Sequence, residues 1–417
     1  AGYTAAEAAG KAGLSVLLIE KNNLGGVCLN EGCIPTKTLL YSAKTYDSAR
    51  HASKYAVNVS EVSFDLPKII ARKSKVVRKL VLGVKAKLTS NNVAMVTGDA
   101  QIIDKNTVRC GEETYNAENL ILCTGSETFI PPITGVETVN YWTHRDALDS
   151  KELPASLAIV GGGATGIELA GALAEMRKFV LPQDYPDLNI NEMRIILLDG
   201  SSRLLSAFSE ESSKEVADYL KKRDVEIKLN QRVMGYENYQ LALNDGTAID
   251  TKNVFWVAGV KANSLQGLPA DAYGPGNRLK VDTYNRLSQY PNIFAIGDTA
   301  LMISEEYPKG HPQVVQPAIQ QARNLIRNLQ RAETGLPLQP FIYQNKGSMA
   351  TIGRNHAVVE LKKLRFGGFP AWAVWLFIHL MSIVGVKNRL FIFVDWMWSY
   401  FTYDPSLRII IKPLKRE

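Results

Sequence analysis

Cysteine, histidine and unbroken apolar runs are all scarce in this chain. Four cysteines among 417 residues cannot form a disulfide framework, and that scarcity suits a reducing compartment. Of the five histidines only His311 precedes a proline, and no constellation calls for a metal. No nucleic-acid module is recognisable, and no signal or transit peptide is read ahead of Ala1. The longest apolar run, 369 to 386, is only just long enough to span a bilayer. Pro370 opens it, His379 interrupts it, and Lys387 and Arg389 cut it from a second aromatic stretch, so a membrane-crossing helix is not expected. What is present is 46% hydrophobic residues and a length sufficient for two nucleotide-binding domains and a C-terminal appendage. The net charge of +7 is concentrated in the helix-like run at 71 to 80 and in the C-terminal third. Without a nucleic-acid module, that basicity fits anionic lipid or dinucleotide phosphates.

The most informative string is GGVCLNEGCIPTK, residues 25 to 37. It sets Cys28 and Cys33 in what reads as a helix start, on neighbouring turns of one helix, where they can close a short disulfide. Gly25 and Gly26 let the backbone pass close to a ligand, Pro35 stiffens the turn, and Lys37 lies one turn beyond Cys33. Lys37 and the helix N-terminus both favour a thiolate.

The strongest nucleotide signal is LAIVGGGATGIELAGALAEM, in which an apolar strand enters Gly161-x-Gly163-x-x-Gly166 and then a periodic helix. Such glycines permit a tight turn and let a pyrophosphate approach the helix N-terminus. The partner acid ends the next strand, MRIILLDG, as Asp199, beyond an insertion FVLPQDYPDLNINE. An acid there disfavours a 2′-phosphate and selects NADH, although Arg203 nearby leaves NADPH as an alternative. At the other end, AGYTAAEAA reads as the close of a second such loop, with Gly2 as its third glycine and a helix over 3–12. The strand SVLLIE then ends at Glu20, where an acid accepts from a ribose hydroxyl. The first strand of that sheet is not in the sequence, either because the chain is a piece of a longer protein or because the sheet lacks it. A basic helix over 68–90, short strands to the Thr124–Gly125 turn, a hairpin turning at Asp245–Gly246, the VFWVAGV turn at Gly259 and the strand NIFAIGD with Gly297 and Asp298 complete the pattern.

Residues 1 to about 160 resemble dihydrolipoamide dehydrogenase, a flavoprotein disulfide reductase, through AGYTAAEAA, GGVCLNEGCIPTK, CTGSETFIPPI and LAIVGGGATGIELA. Residues from about 161 onward resemble type II NADH dehydrogenase, which reduces membrane quinone, through ELAGALAEM, YPKGHPQVVQPAIQQ, KGSMATIG and WSYFTYDPSLRIIIKP. The chain therefore resembles a hybrid joined in the second glycine loop. The resemblance implies FAD and NAD as cofactors, with Asp298 on the ribityl hydroxyls of the flavin. In the disulfide reductases the thiol base is a His in HPT-x-x-E; His311 continues as HPQVVQP, without the Thr or Glu. In the quinone reductases an AQxAxQ motif lines the quinone tunnel. The string Val315–Gln320 resembles it with Val for the first Ala, which implies that Gln316 and Gln320 orient a quinone carbonyl and that Pro317 sits in the helix's first turn. Lys346 resembles a residue near the flavin, and Glu168, common to both families, faces the nicotinamide side.

The expected fold class is α/β, with two Rossmann-like FAD/NAD(P)-binding domains of the pyridine nucleotide-disulfide oxidoreductase type and a C-terminal amphipathic helical membrane-binding segment. The expected divisions are 1–145 (first part of the FAD domain), 146–265 (NAD domain), 266–355 (second part of the FAD domain) and 356–417 (membrane-associated segment). In the last, Trp372, Trp375, Trp396 and Trp398 suit the headgroup level, and Lys362, Lys363, Arg365, Lys387 and Arg389 suit anionic lipid. A dimer interface or buried core helices are the alternative for that segment. The expected function is a NADH:quinone oxidoreductase, peripheral on the cytoplasmic face of the cell membrane, as a monomer or homodimer. The alternatives are a soluble disulfide reductase working through Cys28 and Cys33, and a non-catalytic nucleotide-binding membrane protein.

Overall fold

The computed structural model describes residues 1–50, 52–55, 57–139, 141–151, 157–180, 193–353, 355–362 and 364–382. Most of the insertion at 179–192, and Lys363, Lys387, Arg389, Trp396 and Trp398, lie outside the described residues. The chain divides into two compact units. Unit 1 comprises Ala1–Ile34, Lys75–Phe129 and Val260–Asn345; unit 2 comprises Pro35–Ser74, Ile130–Gly259 and the described part of Lys346–Glu417.

In chain order, the first segments are α1 (Gly2–Lys11), β1 (Val16–Glu20), α2 (Gly26–Glu31), α3 (Cys33–Arg50), α4 (Leu66–Thr89) and β2 (Val93–Thr97). The antiparallel trio β3 (Ala100–Ile102), β4 (Thr107–Cys110) and β5 (Glu113–Asn116) follows, then β6 (Leu120–Leu122) and β7 (Ser126–Thr128). Next come α5 (His144–Asp149), β8 (Leu157–Val160), α6 (Ala164–Glu175), β9 (Ile195–Leu198), α7 (Glu210–Lys221), β10 (Val225–Lys228), the meander β11 (Val233–Glu237), β12 (Gln240–Leu243) and β13 (Ala248–Asp250), and β14 (Val254–Trp256). The chain continues through β15 (Val260–Ala262), β16 (Tyr273–Gly274), β17 (Arg278–Lys280), β18 (Arg286–Leu287), β19 (Tyr290–Ala295), β20 (Ala300–Leu301) and α8 (Val315–Glu333). It closes, among the described residues, with β21 (Ser348–Gly353), β22 (His356–Leu361), β23 (Leu364–Gly367) and α9 (Gly368–Ser382).

In unit 1, β1 pairs in parallel with β2 from Val16↔Val93 to Glu20↔Thr97, and β6 pairs in parallel with β19 from Leu120↔Ile293. Among the described residues no strand joins β1 to β6, so the parallel layer stands in two pieces. Both pieces are held by one core. The alanines of α1 (Ala5, Ala9) allow close approach, and Phe294, Ile296, Ala322, Leu325 and Ile326 fill the space with them. Helix α8 buries the stripe Ala318, Ala322, Leu325 and Ile326, the spacing of a one-sided helix, and stops at Gly335, which has φ +70°. As expected, Pro317 falls in its first turn.

Unit 2 holds a four-stranded parallel sheet in the order β10-β9-β8-β14. Strand β9 is apolar and buried at all four positions, as a strand covered on both faces must be. Helices α6 and α7 cover one face through Ile167, Ala170, Val216 and Leu220. The meander covers the other through Tyr236, Leu241 and Ile249 against Trp256. Its tight turn falls at Asp245–Gly246 as expected, with φ +82° at Gly246.

The sheet β21–β23 lies on α6, with Ala350, Ile352 and Val358 in the same core. At Gly171 the helix touches the strand backbone: a Cβ there would stand 1.7 Å from the Ile352 carbonyl oxygen. Alanine normally improves a helix interior by roughly 1 kcal/mol over glycine. Here a backbone oxygen cannot rotate away, so Gly171→Ala is expected to destabilise by about 2 kcal/mol or more, lowering the thermal midpoint in a calorimetric scan. A midpoint at or above wild type would contradict this helix–strand contact.

Polar contacts reinforce the same junction. Glu360 on β22 accepts from the Ser209 amide (2.9 Å) and from the Ser209 and Ser212 hydroxyls (2.6 Å each), at the start of α7. Arg365 donates to Ser212 (3.0 Å) and Glu215 (3.1 Å). These contacts tie Arg365 to the start of α7, while Arg365 and Lys362 are both exposed. Helix α9 packs Ala371 against Ala357 and Val359. It carries no Asp, Glu, Lys or Arg, so it is apolar around its circumference rather than amphipathic. No helix among the described residues is long and apolar enough to cross a membrane.

Candidate functional site

The nucleotide loop of unit 2 is built on three different glycine requirements. Gly161 has φ +128°, and a Cβ on it would lie 2.4 Å from the Val257 carbonyl oxygen. A Cβ on Gly166 would lie 1.7 Å from the Gly161 carbonyl oxygen, so the loop and the first turn of α6 touch backbone to backbone. Gly163, by contrast, is the N-cap of α6, has no side-chain cap, and faces space with no atom within 4 Å of a built Cβ. Uncapped N–H groups at a helix start beside open space fit a dinucleotide phosphate. Asp199 ends β9 and accepts from the Gly162 amide (2.6 Å) and the Ser201 amide (2.7 Å), which fixes its carboxylate at the loop. Arg203 is turned inward, donating to the carbonyls of Leu205, Ser206, Phe208 and Ser209 and to the Ser213 hydroxyl. A guanidinium so occupied is poorly placed to take a 2′-phosphate. Gly259, with φ +110° and open space at its Cβ position, ends the unit's second segment. Glu168 is exposed on α6 and accepts from the Thr351 hydroxyl at 3.2 Å.

In unit 1 the Thr124–Gly125 turn and the Gly297–Asp298 turn are laced together. The Thr299 hydroxyl accepts from the Gly125 amide (3.0 Å) and meets the Thr124 hydroxyl (3.1 Å). Asn263 donates to the Thr124 carbonyl (2.9 Å), and the Thr124 hydroxyl donates to the Asn263 carbonyl (3.0 Å). Ser126 donates to one oxygen of Asp298 at 2.6 Å. Half-buried Asp298 thus has its orientation set by protein while its second oxygen can accept from ligand hydroxyls. Gly125 (φ +70°) and Gly26 (φ +72°) have no atom within 4 Å of a built Cβ, and Gly25 has φ +114°. Helix α1 starts at Gly2 with no side-chain cap, and Glu20 accepts from the Asn22 amide at the end of β1. This donor and acceptor set fits FAD. Ser126, Asn263 and Thr299 were not anticipated; only Thr299 carries a sequence signal, by following Asp298.

The cysteine pair departs from expectation in one respect. Cys28 lies inside α2 and Cys33 opens α3, with Gly32 (φ −142°, ψ −108°) breaking the helix between them. They are therefore on two helices, not on neighbouring turns of one. Both are exposed. Lys37 is exposed one turn into α3, in the part of that helix that belongs to unit 2. The other two cysteines are shielded: Cys110 is buried, and burial pushes the Cys123 thiol up to about 11.

Gln316 and Gln320 share α8 but not one environment. Gln320 donates to the Gln344 carbonyl (3.1 Å) and accepts from the Gln344 amide (3.0 Å), so its side chain is tied to backbone. The Gln316 Oε1 is buried with no partner. Lys346 is exposed just ahead of Gly347 and belongs to unit 2. His311 is buried against Tyr307, Phe341 and Tyr343. Burial and the Arg278 guanidinium hold its pKa below the usual imidazole value.

Two units of this build, one with a laced flavin-type turn and one with a glycine loop at a helix start, define a two-dinucleotide α/β architecture. Residues 1–322 match the pyridine nucleotide-disulphide oxidoreductases, and the chain belongs to that family, whose cofactors are FAD and NAD(H). Residues 345–402 match the NDH2 C-terminal domain. The chain is 34% identical over 317 residues to the dihydrolipoyl dehydrogenase of Geobacillus stearothermophilus, covering 71% of this chain and 63% of that one. It is 30% identical over 384 residues to the dihydrolipoyl dehydrogenase of Mycoplasma pneumoniae, covering 87% and 76%. Among solved structures it resembles the flavoprotein disulfide reductase RclA from Escherichia coli in its Cu(II) complex (TM-score 0.64, 24% identity, covering 87% of this chain and 76% of that one). It also resembles NDH2 from Plasmodium falciparum in complex with NADH (TM-score 0.64, 17% identity, covering 76% and 86%). These structural likenesses concern the fold. The double resemblance expected from the motifs is borne out.

Proposed function

We propose that this protein is a FAD-dependent NADH dehydrogenase that delivers its electrons to a membrane quinone. One observation carries the choice of acceptor. The chain leads from the sheet β21–β23 into an apolar helix that exposes Phe369, Phe377, Ile378 and Met381, within the segment matched to the NDH2 C-terminal domain. A helix that exposes several large apolar side chains marks a surface that meets a membrane or a partner, and a membrane is where a quinone is met. Gln316 adds support. Its buried amide oxygen, without a partner, can accept from a quinol hydroxyl.

In this reading the four functional parts follow the divisions 1–145, 146–265, 266–355 and 356–417. The overall balance is NADH plus quinone plus a proton giving NAD and quinol. Bound FAD supplies two-electron acceptance from nicotinamide and their release to the acceptor. Gly161, Gly163 and Gly166 seat the NADH pyrophosphate, Asp199 takes the ribose hydroxyls, and Gly259 leaves room beside the cofactor. Glu168 faces the nicotinamide. Gly2, Gly25, Gly26, Lys37, Thr124, Gly125 and Gly297 line the FAD, Glu20 holds its ribose, and Asp298 its ribityl chain. Gln316 and Lys346 serve the quinone end, and Gln320, paired with the Gln344 backbone, supports it indirectly.

A second reading, disulfide reduction through Cys28 and Cys33, is favoured by their exposure on adjoining helices and by the relatives' names. Steady-state assays on the FAD-loaded protein separate the two. NADH oxidation is expected to run faster with a soluble quinone than with oxidised lipoamide, and NADPH to be the poorer donor. Lipoamide turnover above quinone turnover would reverse the choice.

A further inference from the structure

We propose that Gln321 is a positioning residue for the flavin, holding the Gly297–Asp298 turn from α8, and that Gln320 beside it holds the segment leading to Lys346 from the same helix. The inference rests on FAD being bound at that turn, as argued above.

Gln321 is 1% exposed and sits in the apolar stripe of α8, among Ala318, Ala322 and Leu325. An amide buried in such a stripe is costly unless it is bonded. Its Oε1 accepts from the Gly297 amide at 2.8 Å. That amide lies beyond the end of β19, so the sheet ladder does not use it. Gly297 itself has φ +73°, which glycine reaches without steric cost, so the hydrogen bond rather than sterics restrains the turn from this side. The next carbonyl, that of Asp298, accepts from the Gln313 side chain at 3.2 Å. Gln321 and Gln313 thus grip the Gly297 N–H and the Asp298 C=O, on either side of the Asp298 carboxylate, while Ser126 grips the carboxylate itself. For packing alone, a methionine would fill the position of Gln321.

Gln320 faces another way, because successive helix residues are about 100° apart. Its amide makes a two-way pairing with the Gln344 backbone. One helix therefore holds the Gly297–Asp298 turn through Gln321 and the Gln344 backbone through Gln320.

The test is reconstitution of the apo-protein with FAD, read as dissociation constant and as flavin reduction potential, for wild type, Gln321→Met, Gln321→Glu and the exposed control Gln330→Leu. Gln321→Met removes the acceptor and is expected to weaken FAD binding about tenfold and to shift the potential. Gln321→Glu keeps an acceptor for the Gly297 amide but adds a buried carboxyl, so its affinity is expected to fall short of wild type at neutral pH and to approach wild type as the pH is lowered and the carboxyl is held neutral. Gln330→Leu is expected to match wild type. Gln321→Met with unchanged affinity and potential overturns the proposal, as does a Gln321→Glu protein that stays as weak as Gln321→Met at low pH, which would mean packing alone. A wild-type protein that takes up no FAD would overturn the parent reading and this one with it, and is distinguishable because all four proteins then fail alike.

Discussion

Replacing Cys28 with serine is expected to abolish NADH-driven reduction of lipoamide and to leave quinone reduction within about twofold of wild type. Disulfide exchange needs a sulfur that can form and release an S–S bond, and a serine hydroxyl can do neither. Electrons reaching a dithiol leave as two thiols on the substrate, with the Cys28–Cys33 disulfide reformed, so both sulfurs are required in every cycle. No other cysteine can substitute. Cys110 is buried, and Cys123, with its thiol pushed up to about 11 by burial, stays protonated at neutral pH. A quinone path that runs from flavin directly to an acceptor near α8 passes through neither sulfur. The comparison is made on FAD-replete protein, so that a lost cofactor is not mistaken for a lost thiol. A fall in quinone turnover of more than about tenfold would mean that the electrons travel through the cysteines, and the assignment of the acceptor would have to be reversed.

How far such a path could be foreseen differs from residue to residue. The glycine loop at 161–166 was legible because most of its constraints are local, a turn, the approach of Gly166 to Gly161 and an open space at Gly163, and only the wall behind Gly161 comes from distant Val257. The hairpin at Asp245–Gly246 and the stripe of α8 were legible for the same reason. Gly32 was not. A glycine inside a helical pattern costs only about 1 kcal/mol, so its power to split α2 from α3 depends on what the two helices pack against. Arg203 reads as a free cation beside an acid until the chain from 205 to 209 folds back over it and supplies carbonyls. The pair Gln320–Gln321 poses the sharpest ambiguity. Both are glutamine, and only the burial of the stripe decides which amide faces Gly297. Glu360 and Arg365 lie about 150 residues from the Ser209 and Glu215 they bind, a separation that no local pattern can bridge. The apolar run after 368 announced an interface early, but α9 has no polar face of its own, so what shields or meets it is a matter of the surroundings.

Gly166→Ala is expected to reduce NADH-dependent flavin reduction by at least about a hundredfold while leaving FAD bound and reducible by dithionite. The new methyl would stand 1.7 Å from the Gly161 carbonyl oxygen and 3.4 Å from Leu197, so it has no rotamer to escape into. Gly161 cannot retreat, being itself confined against the Val257 carbonyl. The strain is relieved only by moving the start of α6 off the loop, and that opens the phosphate-binding N–H groups. Gly163→Ala is the informative companion. Its methyl would meet no atom within 4 Å, so the protein should keep its thermal midpoint and lose NADH affinity only if a phosphate occupies that space. Stopped-flow reduction by NADH, with dithionite as the chemical control, reads both variants. A Gly166→Ala protein reduced at the wild-type rate would mean that NADH does not use this loop. A Gly163→Ala protein with unaltered NADH affinity would move the pyrophosphate elsewhere along α6, leaving Asp199 as the remaining anchor for the nucleotide.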